Sequence, residues 1–591
     1  MLPVFETFKE RPWLTVLALI GLYYCVIVPG RRIIHTYRVR QKYLDIPSLP
    51  RHPLWGNLVN VGMKLDPTIN RHPDYGFEEI WNELGHPPAF LFDLNPIDNA
   101  FLVIADPTVA ENFIQPSPQF KYSTLKSDTL SSLYRLIGRE SLIIVEGEEW
   151  KNLRKRFNRG FAPAHLHSLS PLIISKTRIF IDRLKGVAKT GEVFELKDYS
   201  QDLTTDIITQ LTIEKDFRAQ TTPEGQGHKS RLGLLTASRD LSELMFKTGQ
   251  GFNPFAYFDI IRPTKAWFYE QVFNHELTKV IKQQIEAERS SEENTNSDAT
   301  KEDKSNALQV KSILRLALSG LEPTQELIRN SVSQIKSFLF AGQDTTATLI
   351  QWMCFELSKS SFSDHHRQIA KNLVKEHDKV FGVTDDPFHA LDILGKEDDQ
   401  GRKDAEAILG SGLPYTTAFI RETLRLHAPA GTARRIPDIT PENPTPFKVA
   451  LPVSPDSTET KDVVVNGLRV YPAHYLIHRN TSIWGEDAAV FRPERWLDED
   501  YISKLPPGSW RPFERGPRNC IGQELALLEA KVVLCAVARG LLFHKVGYSG
   551  KKAAGIVKGD GTDDPEREIW SKHSVTSVVM DGMKMKVELK E

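Results

Sequence analysis

The sequence predicts a mainly α-helical protein that also contains small β-sheets. Apolar residues recur at helical spacing over 326–360, which is the longest such pattern in the chain. The same spacing returns just past Cys520, so a further helix is expected there. Short apolar runs at 89–92 and 101–104 and an alternating run at 583–589 predict strands. We therefore expect helices to form most of the fold and the strands to form small sheets.

Composition excludes several classes of protein. The 591 residues include 75 basic and 76 acidic side chains, so the net charge of −1 gives no overall field that favours nucleic acid. Four cysteines are too few for a disulfide framework, and no C-x-x-C or clustered Cys/His spacing indicates zinc. Hydrophobic residues make up 40% of the chain, which allows a large core. No clear linker divides the chain, which favours one large domain with additions.

The amino terminus predicts a membrane anchor. Residues 1–11 form a short tail, and the 19 residues of 12–30 carry no charge. As a helix this segment would span about 28 Å, close to the thickness of a bilayer core. Basic residues cluster after position 30, so the positive-inside rule leaves the following domain in the cytosol. The alternatives are a buried core helix and a cleaved signal peptide, and the lack of a small-residue cleavage site disfavours the second.

The segment 31–57 predicts a basic, proline-rich hinge between the anchor and the rest of the chain. Pro47, Pro50 and Pro53 recur every third residue, which makes a stiff and extended segment. Any proline-rich linker would show this spacing, so the motif is weak by itself. The remaining residues, 58–591, are expected to form one domain.

Cys520 lies where an irregular loop is predicted to meet a helix. Prolines and glycines set turns over 507–517, and helical spacing begins after the cysteine. A thiolate at this point gains from the free N–H groups and the partial positive charge of the helix start. Arg515 and Arg518 add positive charge. A lone thiolate in this setting could be a nucleophile, a haem iron ligand or an inert buried cysteine.

The residues around Cys520 decide among these three roles. They form the pattern F-x-x-G-x-R-x-C-x-G, which closely resembles the haem-binding loop of the cytochrome P-450 monooxygenases. The resemblance implies that Cys520 ligates the iron of haem b and that Arg518 binds a haem propionate. It also implies a turn at Gly516, close packing of Gly522 against the porphyrin and shielding of the sulfur by Phe513. The whole chain would then take the cytochrome P-450 fold, with one large catalytic domain behind a transmembrane helix.

Trp150 and Arg154 lie four residues apart and share one face of a predicted basic helix. Their spacing matches the W-x-x-x-R pair of the same family, whose side chains donate to a haem propionate, and the resemblance gives them that role. An aromatic–cation pair on a surface helix is the plainer alternative. The basic patch extends over Lys151, Lys155, Arg156 and Arg159, and the resemblance implies that an acidic reductase docks there.

The long helical pattern contains an interruption at 341–346. Glycine inside a helix costs about 1 kcal/mol relative to alanine, and a threonine hydroxyl can bond the carbonyl one turn back. The A-G-x-D-T-T motif resembles the oxygen-activation motif of the family, which makes Asp344 and Thr345 the proton-delivery residues. A mildly kinked core helix is the alternative.

Glu422 and Arg425 form an E-x-x-R tetrapeptide, which is common on helices and has little meaning by itself. Together with Arg495 it resembles the Glu–Arg–Arg network that locks the core of the family's fold, which is a structural role. Arg434 and Arg435 open a predicted strand. The spacing from Arg425 favours Arg435 as another propionate ligand.

Three polar stretches are expected to be insertions within the haem-thiolate monooxygenase domain, 58–591. Residues 289–305 contain one apolar residue, Ala299, and cannot bury a surface, so disorder is expected there. The stretches 395–410 and 550–570 are also polar and are expected on the surface.

The resemblance implies an enzyme that inserts one oxygen atom from O2 into an apolar organic substrate, by hydroxylation, epoxidation or a related oxidation. Electrons would come from NADPH through a separate cytochrome P-450 reductase, because the chain has no G-x-G-x-x-G nucleotide motif. Cytochrome b5 is a further expected partner. The expected location is the endoplasmic reticulum membrane, crossed once, with the catalytic domain on the cytosolic side.

The cysteine loop and the insertions look most like those of filamentous-fungal members of the family, which favours a secondary metabolite as the substrate. Fatty-acid or alkane hydroxylation is the runner-up. Two other classes of protein stay open, namely a haem-thiolate isomerase or dehydratase that does not use O2, and a membrane-tethered haem sensor without catalysis. The intact pair of Asp344 and Thr345 argues against both.

Overall fold

Helices form most of the described part of the protein, which confirms the prediction of a mainly α-helical fold. The computed structural model describes residues 16, 19–60, 71–95, 98–221, 234–248, 261–295, 311–452, 459–547, 569–572 and 576–590. Within these ranges the α-helices are α1 (Val28–Lys42), α2 (Pro73–Glu83), α3 (Pro107–Ile114), α4 (Tyr134–Ile137), α5 (Gly147–Asn158), α6 (Pro163–Ser168), α7 (Ser170–Thr190), α8 (Leu196–Ile213), α9 (Leu234–Thr248), α10 (Ile261–Thr295), α11 (Ile313–Leu318), α12 (Gln325–Ser358), α13 (Asp364–Phe381), α14 (Ala390–Leu394), α15 (Asp399–Ala407), α16 (Pro414–Leu426), α17 (His474–Arg479), α18 (Thr481–Trp484), α19 (Glu499–Lys504) and α20 (Gln523–Val537).

The strands form small sheets, as predicted. They are β1 (Ala89–Phe92), β2 (Phe101–Ile104), β3 (Leu125–Lys126), β4 (Phe194–Glu195), β5 (Arg434–Arg435), β6 (Lys448–Pro452), β7 (Thr460–Val464), β8 (Arg469–Pro472), β9 (Leu541–Lys545), β10 (Ser571–Lys572), β11 (Val578–Val579) and β12 (Lys584–Leu589). The largest sheet has the order β1–β2–β8–β5–β3, in which β2 and β8 are parallel and the other pairs are antiparallel. A second sheet has the order β4–β12–β9, and β6–β7 and β10–β11 form hairpins.

Helix α12 lies at the centre of the helical part and packs against α8, α10, α16 and α20. The residues predicted to form its apolar stripe are buried, namely Ile328, Val332, Ile335 and Leu339. Thr324 caps the start of the helix, because its hydroxyl accepts a hydrogen bond of 3.1 Å from the N–H of Leu327. The helix stays continuous through 341–346, where Gly342 permits close packing: a Cβ there would lie 2.8 Å from the Ile208 side chain on α8.

The predicted anchor, 12–30, lies partly outside the described residues, which leave out 12–15 and 17–18. Helix α1 follows a π-helical turn and ends at Lys42, so the first part of the predicted hinge is helical. No proline lies between Gly30 and Lys42, so none interrupts this part of the helix. Among the described helices, none is both long enough and apolar enough to cross a bilayer.

The structure describes parts of the three predicted insertions, and most residues of 395–410 are exposed, as expected for a surface insertion. Helix α10 includes 289–295, the start of the segment predicted to be disordered, because glutamate propagates a helix without burying any surface. Residues 296–305 lie outside the described part. The stretch 395–410 contains helix α15, which buries Gly401 and Ala405. Of 550–570, the structure describes 569 and 570.

A buried ion network joins α16 to the segment before the cysteine. Both oxygens of Glu422 accept from Arg425, with Nη2–Oε1 and Nε–Oε2 distances of 2.8 and 2.9 Å. Arg495 Nε and Trp496 Nε1 add bonds of 3.0 and 2.9 Å to the same carboxylate. Arg425 also donates to the carbonyl of His478 at 2.6 Å. The structure thus brings together the three residues for which the sequence predicted a structural network, and all three side chains are buried.

Replacement of Glu422 by alanine should destabilise the protein by roughly 3–5 kcal/mol, because the buried Arg425 would lose its ion-pair partner and the buried Arg495 would keep only Asp487. Asp364→Ala is the matched control, since Asp364 and Arg367 also form an i,i+3 pair but lie at the surface, where such a pair contributes less than about 1 kcal/mol. Urea denaturation followed by tryptophan fluorescence measures both losses. Equal losses would contradict the role given to the network.

Candidate functional site

Cys520 lies in a loop that leads into helix α20. The backbone closes this loop, because the N–H of Cys520 donates to the carbonyl of Phe513 at 2.8 Å. Gly516 has a φ of +71°, and a Cβ there would lie 2.3 Å from the carbonyl oxygen of Ile114, so the turn requires glycine. Helix α20 begins just past the cysteine, as predicted, with Gly522 at its N-cap position.

Opposing influences act on the ionisation of the Cys520 thiol. The side chain is exposed, yet protein atoms surround it closely enough that desolvation raises the pKa of the thiol. The N–H of Gly522 and the positive charges of Arg154 and Lys126 act in the opposite direction. Burial therefore disfavours ionisation of this thiol, and a metal ion that coordinated the sulfur would deprotonate it.

Arg515 and Arg518 do not supply the positive charge that the sequence predicted for the sulfur, because each is paired elsewhere. Arg515 Nε lies 3.0 Å from a carboxylate oxygen of Glu111 on α3. Arg518 forms an ion pair with Glu146 and donates to the carbonyl of Val145 at 2.7 Å. Arg515 is therefore paired with α3, and Arg518 with the segment before α5, rather than with the sulfur.

Trp150 and Arg154 flank the cysteine loop from helix α5. Nη1 and Nη2 of Arg154 donate to the main-chain and side-chain oxygens of Asn519 at 2.7 and 2.9 Å. The guanidinium of Arg518 lies 5.2 Å from the ring centroid of Trp150, which is within cation–π range. Trp150 is buried, so the alternative of a surface aromatic–cation pair does not describe this helix.

On strand β5 the buried arginine is Arg434 rather than the predicted Arg435. Successive side chains of a strand point to opposite faces, so one position decides which residue turns inward. Arg434 is fully buried, whereas Arg435 is exposed. Nη1 of Arg434 donates to Ser123 Oγ at 3.3 Å. The choice of Arg435 is therefore corrected to Arg434. The spacing from Arg425 could not distinguish these two adjacent residues.

Buried positive charge accumulates beside the cysteine loop. The cations that act on one another there are Lys126, Arg154, Arg434, Arg511 and Arg518, and the carboxylates among their partners are Glu146 and Glu514. Counted over these seven described side chains, three positive charges lack a counter-charge. Burial and repulsion by Arg434 and Arg518 lower the pKa of Lys126 well below its usual range, and burial lowers the pKa of Arg518 to about 10. Such a cluster favours bound anions.

Several guanidinium donors of this cluster have no hydrogen-bond partner among the described residues. They are buried and belong to Arg434 (Nε and Nη2), Arg511 (Nε and Nη1) and Arg518 (Nε). Buried donors in native proteins are normally satisfied, and carboxylates are strong bidentate acceptors for guanidinium groups. The donor set therefore fits a ligand that places carboxylates beside Cys520.

Asp344 and Thr345 lie on helix α12, where different partners hold them. The hydroxyl of Thr345 donates to the carbonyl of Ala341 at 2.7 Å, which is the one-turn-back bond expected from the sequence. The buried carboxylate of Asp344 accepts from Gln201 Nε2 at 3.0 Å and from the hydroxyl of Thr576. Burial raises the pKa of Asp344, although these two hydrogen bonds act to lower it. A carboxyl with a raised pKa can carry a proton closer to neutral pH.

Sequence reasoning missed Lys126, Arg511 and Glu514 as members of the site. Lys126 reaches Thr432, with Nζ–Oγ1 at 3.4 Å, and no local pattern shows a contact over that separation. Arg511 and Glu514 form an i,i+3 ion pair. Their charge spacing within R-P-F-E was visible in the sequence and could have identified them.

These features define a site for an anionic cofactor beside a single cysteine ligand, and comparison with known proteins identifies the family. The cytochrome P450 family model matches residues 46–544, so the chain belongs to the cytochrome P450 family and is an oxidoreductase of the monooxygenase type. It is similar to the cytochrome P450 monooxygenase polC of Polytolypa hystricis, with 29% identity over 510 residues that cover 84% of this chain and 82% of that protein. It is also similar to the cytochrome P450 monooxygenase acrF of Aspergillus aculeatus, with 27% identity over 481 residues, 77% of this chain and 84% of that protein.

The fold agrees with this family. The crystal structure of a cytochrome P450, CYP102L1, superimposes with a TM-score of 0.63 and 18% identity, and the match covers 88% of this chain and 98% of that one. The family carries a haem ligated by cysteine, and the residues present fit that group. The two propionates of haem b would supply two of the negative charges that the cation cluster lacks, and the Cys520 thiolate would balance the positive charge of a ferric porphyrin.

Arg434→Leu should accelerate loss of haem by roughly tenfold or more, because a hydrogen bond to a charged group contributes about 1.5–3 kcal/mol. Arg435→Leu is the matched control, since its side chain lies one position away and is exposed. Haem transfer to a scavenging apoglobin, monitored by absorbance, gives both rates. A larger effect for Arg435→Leu would show that the correction to Arg434 is itself wrong.

Proposed function

We propose that this chain is a haem-thiolate monooxygenase that inserts one oxygen atom from O2 into an apolar organic substrate. The observation that carries the proposal is a buried cation cluster, with guanidinium donors that no described residue satisfies, beside an exposed cysteine on the loop that leads into α20. Cys520 would ligate the iron, and Arg434, Arg518 and Lys126 would hold the propionates. When bound, such a haem supplies O–O cleavage and oxygen transfer to the substrate.

Trp150 and Arg154 would contribute from helix α5. The bonds from Arg154 to Asn519 hold the residue next to Cys520, and Trp150 stacks under Arg518. The two side chains therefore order the cysteine and the propionate-binding arginine with respect to each other. Phe513 would support the ligand from the backbone, through the bond between its carbonyl and the N–H of Cys520.

Asp344 and Thr345 would deliver protons during oxygen activation. The buried carboxyl of Asp344 has a raised pKa, so it can hold a proton and release it to an acceptor. Gln201 and Thr576 orient this carboxyl from α8 and from the segment before β11. The presence of both residues supports a monooxygenase, because cleavage of O2 consumes protons. A haem-thiolate isomerase or dehydratase does not use O2 and does not require this proton delivery.

Electrons would come from NADPH through a separate cytochrome P-450 reductase, with cytochrome b5 as a further donor. Lys151, Lys155 and Arg159 are exposed on α5 and at its carboxyl end. Arg154, between them in the chain, contacts the cysteine loop, so this basic surface lies close to Cys520. An acidic flavoprotein would dock there through charge complementarity.

Residues 12–30 would anchor the protein in the endoplasmic reticulum membrane, with one pass and the catalytic domain on the cytosolic side. The segment has no charged residue, and basic residues follow it, which supports this orientation. Its described part exposes large apolar side chains, namely Leu19, Ile20, Leu22, Tyr23, Tyr24, Val26 and Ile27. Apolar surface of this extent is unfavourable in water and suits lipid.

Deletion of residues 1–30 should move the protein from the membrane pellet to the supernatant after high-speed centrifugation, because the uncharged run is removed. Deletion of 1–11 alone is the control, since it keeps the run and should leave the protein in the pellet. Immunoblots of the fractions give the distribution. Full-length protein in the supernatant would contradict the anchor.

The substrate proposed is a secondary metabolite of a filamentous fungus. The similar proteins named above are cytochrome P450 monooxygenases of the fungi Polytolypa hystricis and Aspergillus aculeatus, which supports this choice of source. An enzyme anchored beside lipid would take apolar substrates that partition into the bilayer. A fatty acid or an alkane is the second candidate substrate on the same ground.

Incubation with a reductase, NADPH, ¹⁸O₂ and an apolar extract of the source organism tests the proposal. The wild-type protein should yield a product that carries one ¹⁸O atom, because a monooxygenase places one atom of O2 in the substrate and one in water. Mass spectrometry of the extract detects the mass increase. NADPH-independent conversion, or a product without ¹⁸O, would contradict the monooxygenase reaction.

Two variants give this experiment its controls. Cys520→Ala should give no labelled product. Thr345→Ala should lower labelled product by roughly 10²-fold, the lower end of the contribution of a proton-transfer group, while NADPH is still consumed and hydrogen peroxide accumulates. Thr345→Ser keeps the hydroxyl and should retain most of the product. Equal product from Thr345→Ala and the wild type would remove Thr345 from proton delivery.

A further inference from the structure

His474 connects the cysteine loop to a small polar cavity. It opens helix α17, it is buried, and its Nε2 lies 2.8 Å from a carboxylate oxygen of Glu514. Burial acts to raise the pKa of Glu514, but Arg511 and His474 hold that pKa below its usual range. An ionised carboxylate only accepts hydrogen bonds, so the hydrogen of this bond belongs to Nε2 of His474.

Glu514 occupies a strained position in the loop that ends at Cys520. Its φ is +57°, in the left-handed region that non-glycine residues seldom adopt. Such a conformation persists where the surroundings over-determine it. The bonds of its side chain to His474 and Arg511 provide that constraint. The preceding residue, Phe513, accepts from the N–H of Cys520, so a change at Glu514 would be transmitted to the cysteine.

His474 is also one of the residues that line the cavity. Nδ1 is buried and has no hydrogen-bond partner within the part of the chain that the structure describes. The cavity has a volume of about 30 Å³, and its lining includes Asp74, His427 and Tyr471. Asp74 accepts from the hydroxyl of Tyr471 at 2.9 Å, and the charge of His474 acts on the Asp74 carboxylate. A water molecule requires roughly 10–15 Å³ of such volume and several polar partners, and this cavity provides both.

We propose that His474 is a positioning residue for the cysteine ligand, and that one or two ordered water molecules in this cavity bind its Nδ1. The water satisfies Nδ1 and links it to Asp74, which keeps the Nε2 hydrogen directed at Glu514. Glu514 then holds the loop in the geometry that presents the sulfur of Cys520. The inference rests on the proposed haem-thiolate function, since its effect is read at the sulfur–iron bond.

The test compares three variants of the haem-loaded, full-length protein. His474→Leu removes both ring nitrogens, and His474→Gln keeps one N–H donor that can reach Glu514. His366→Leu is the matched control, because His366 is another buried histidine that contacts a buried carboxylate, with Nε2 at 3.1 Å from Glu356. The absorption spectrum of the reduced, carbon monoxide-bound protein reports thiolate ligation, which shifts the Soret band to the red.

His474→Leu should give a several-fold larger fraction of unshifted Soret absorbance than the wild type. His474→Gln should recover most of the red-shifted band, and His366→Leu should keep it even where its melting temperature falls. A red-shifted fraction in His474→Leu equal to that of the wild type, or equal losses in His474→Leu and His366→Leu, would overturn the positioning role. Wild-type protein without a red-shifted band would refute the haem-thiolate function itself, which is a different failure.

A crystal structure of the wild-type protein tests the water. Density for one or two water molecules within hydrogen-bond distance of Nδ1 is the expected result. A direct bond from Nδ1 to a protein atom, or a side chain that fills the cavity, would overturn this part of the inference.

Discussion

A buried excess of positive charge is the constraint on which the rest of the site depends. Lys126, Arg434 and the loop that carries Arg511 and Arg518 come from three distant parts of the chain, and these cations repel one another in a poorly solvated region. Such an arrangement is unfavourable without anions, since burial of unpaired charge costs several kcal/mol. The thiol of Cys520 would gain from a bound cation, because burial opposes its ionisation. A haem resolves both, with its propionates and its iron, so binding of the cofactor should stabilise the folded chain.

Helix α17 transmits the rigidity of the core to this site. The carbonyl of His478 accepts from Arg425 of the buried Glu422 network, and His478 Nε2 accepts from the N–H of Arg511 at 3.0 Å. The same helix therefore touches the ion network on one side and the cysteine loop on the other. Buried ion pairs often contribute little net stability, but they fix geometry where few alternatives satisfy all their bonds. Compared with apolar residues of the same volume, the intact network would then affect the position of the sulfur more than the free energy of unfolding. Removal of Glu422 alone is a different case, because it leaves buried charge unpaired.

Motifs with fixed local spacing could be located from the sequence, and long-range partners could not. The cysteine loop, the Trp150–Arg154 pair and the Glu422–Arg425 pair each depend on a few consecutive residues, and the structure brings their members together. Arg434 was missed because pairing of β5 with β3 and β8 decides which face turns inward. Helix α10 extends past the predicted start of disorder because a helix that is packed elsewhere can continue through polar residues.

X-ray absorption at the iron edge of the purified, ferric protein tests the central claim most directly, because it reports the atoms bound to the metal. The account predicts one sulfur in the first coordination shell of the iron in the wild-type protein, and none in Cys520→Ser. A first shell of nitrogen and oxygen alone in the wild-type protein would contradict ligation by Cys520, and the function proposed for the site would fail with it.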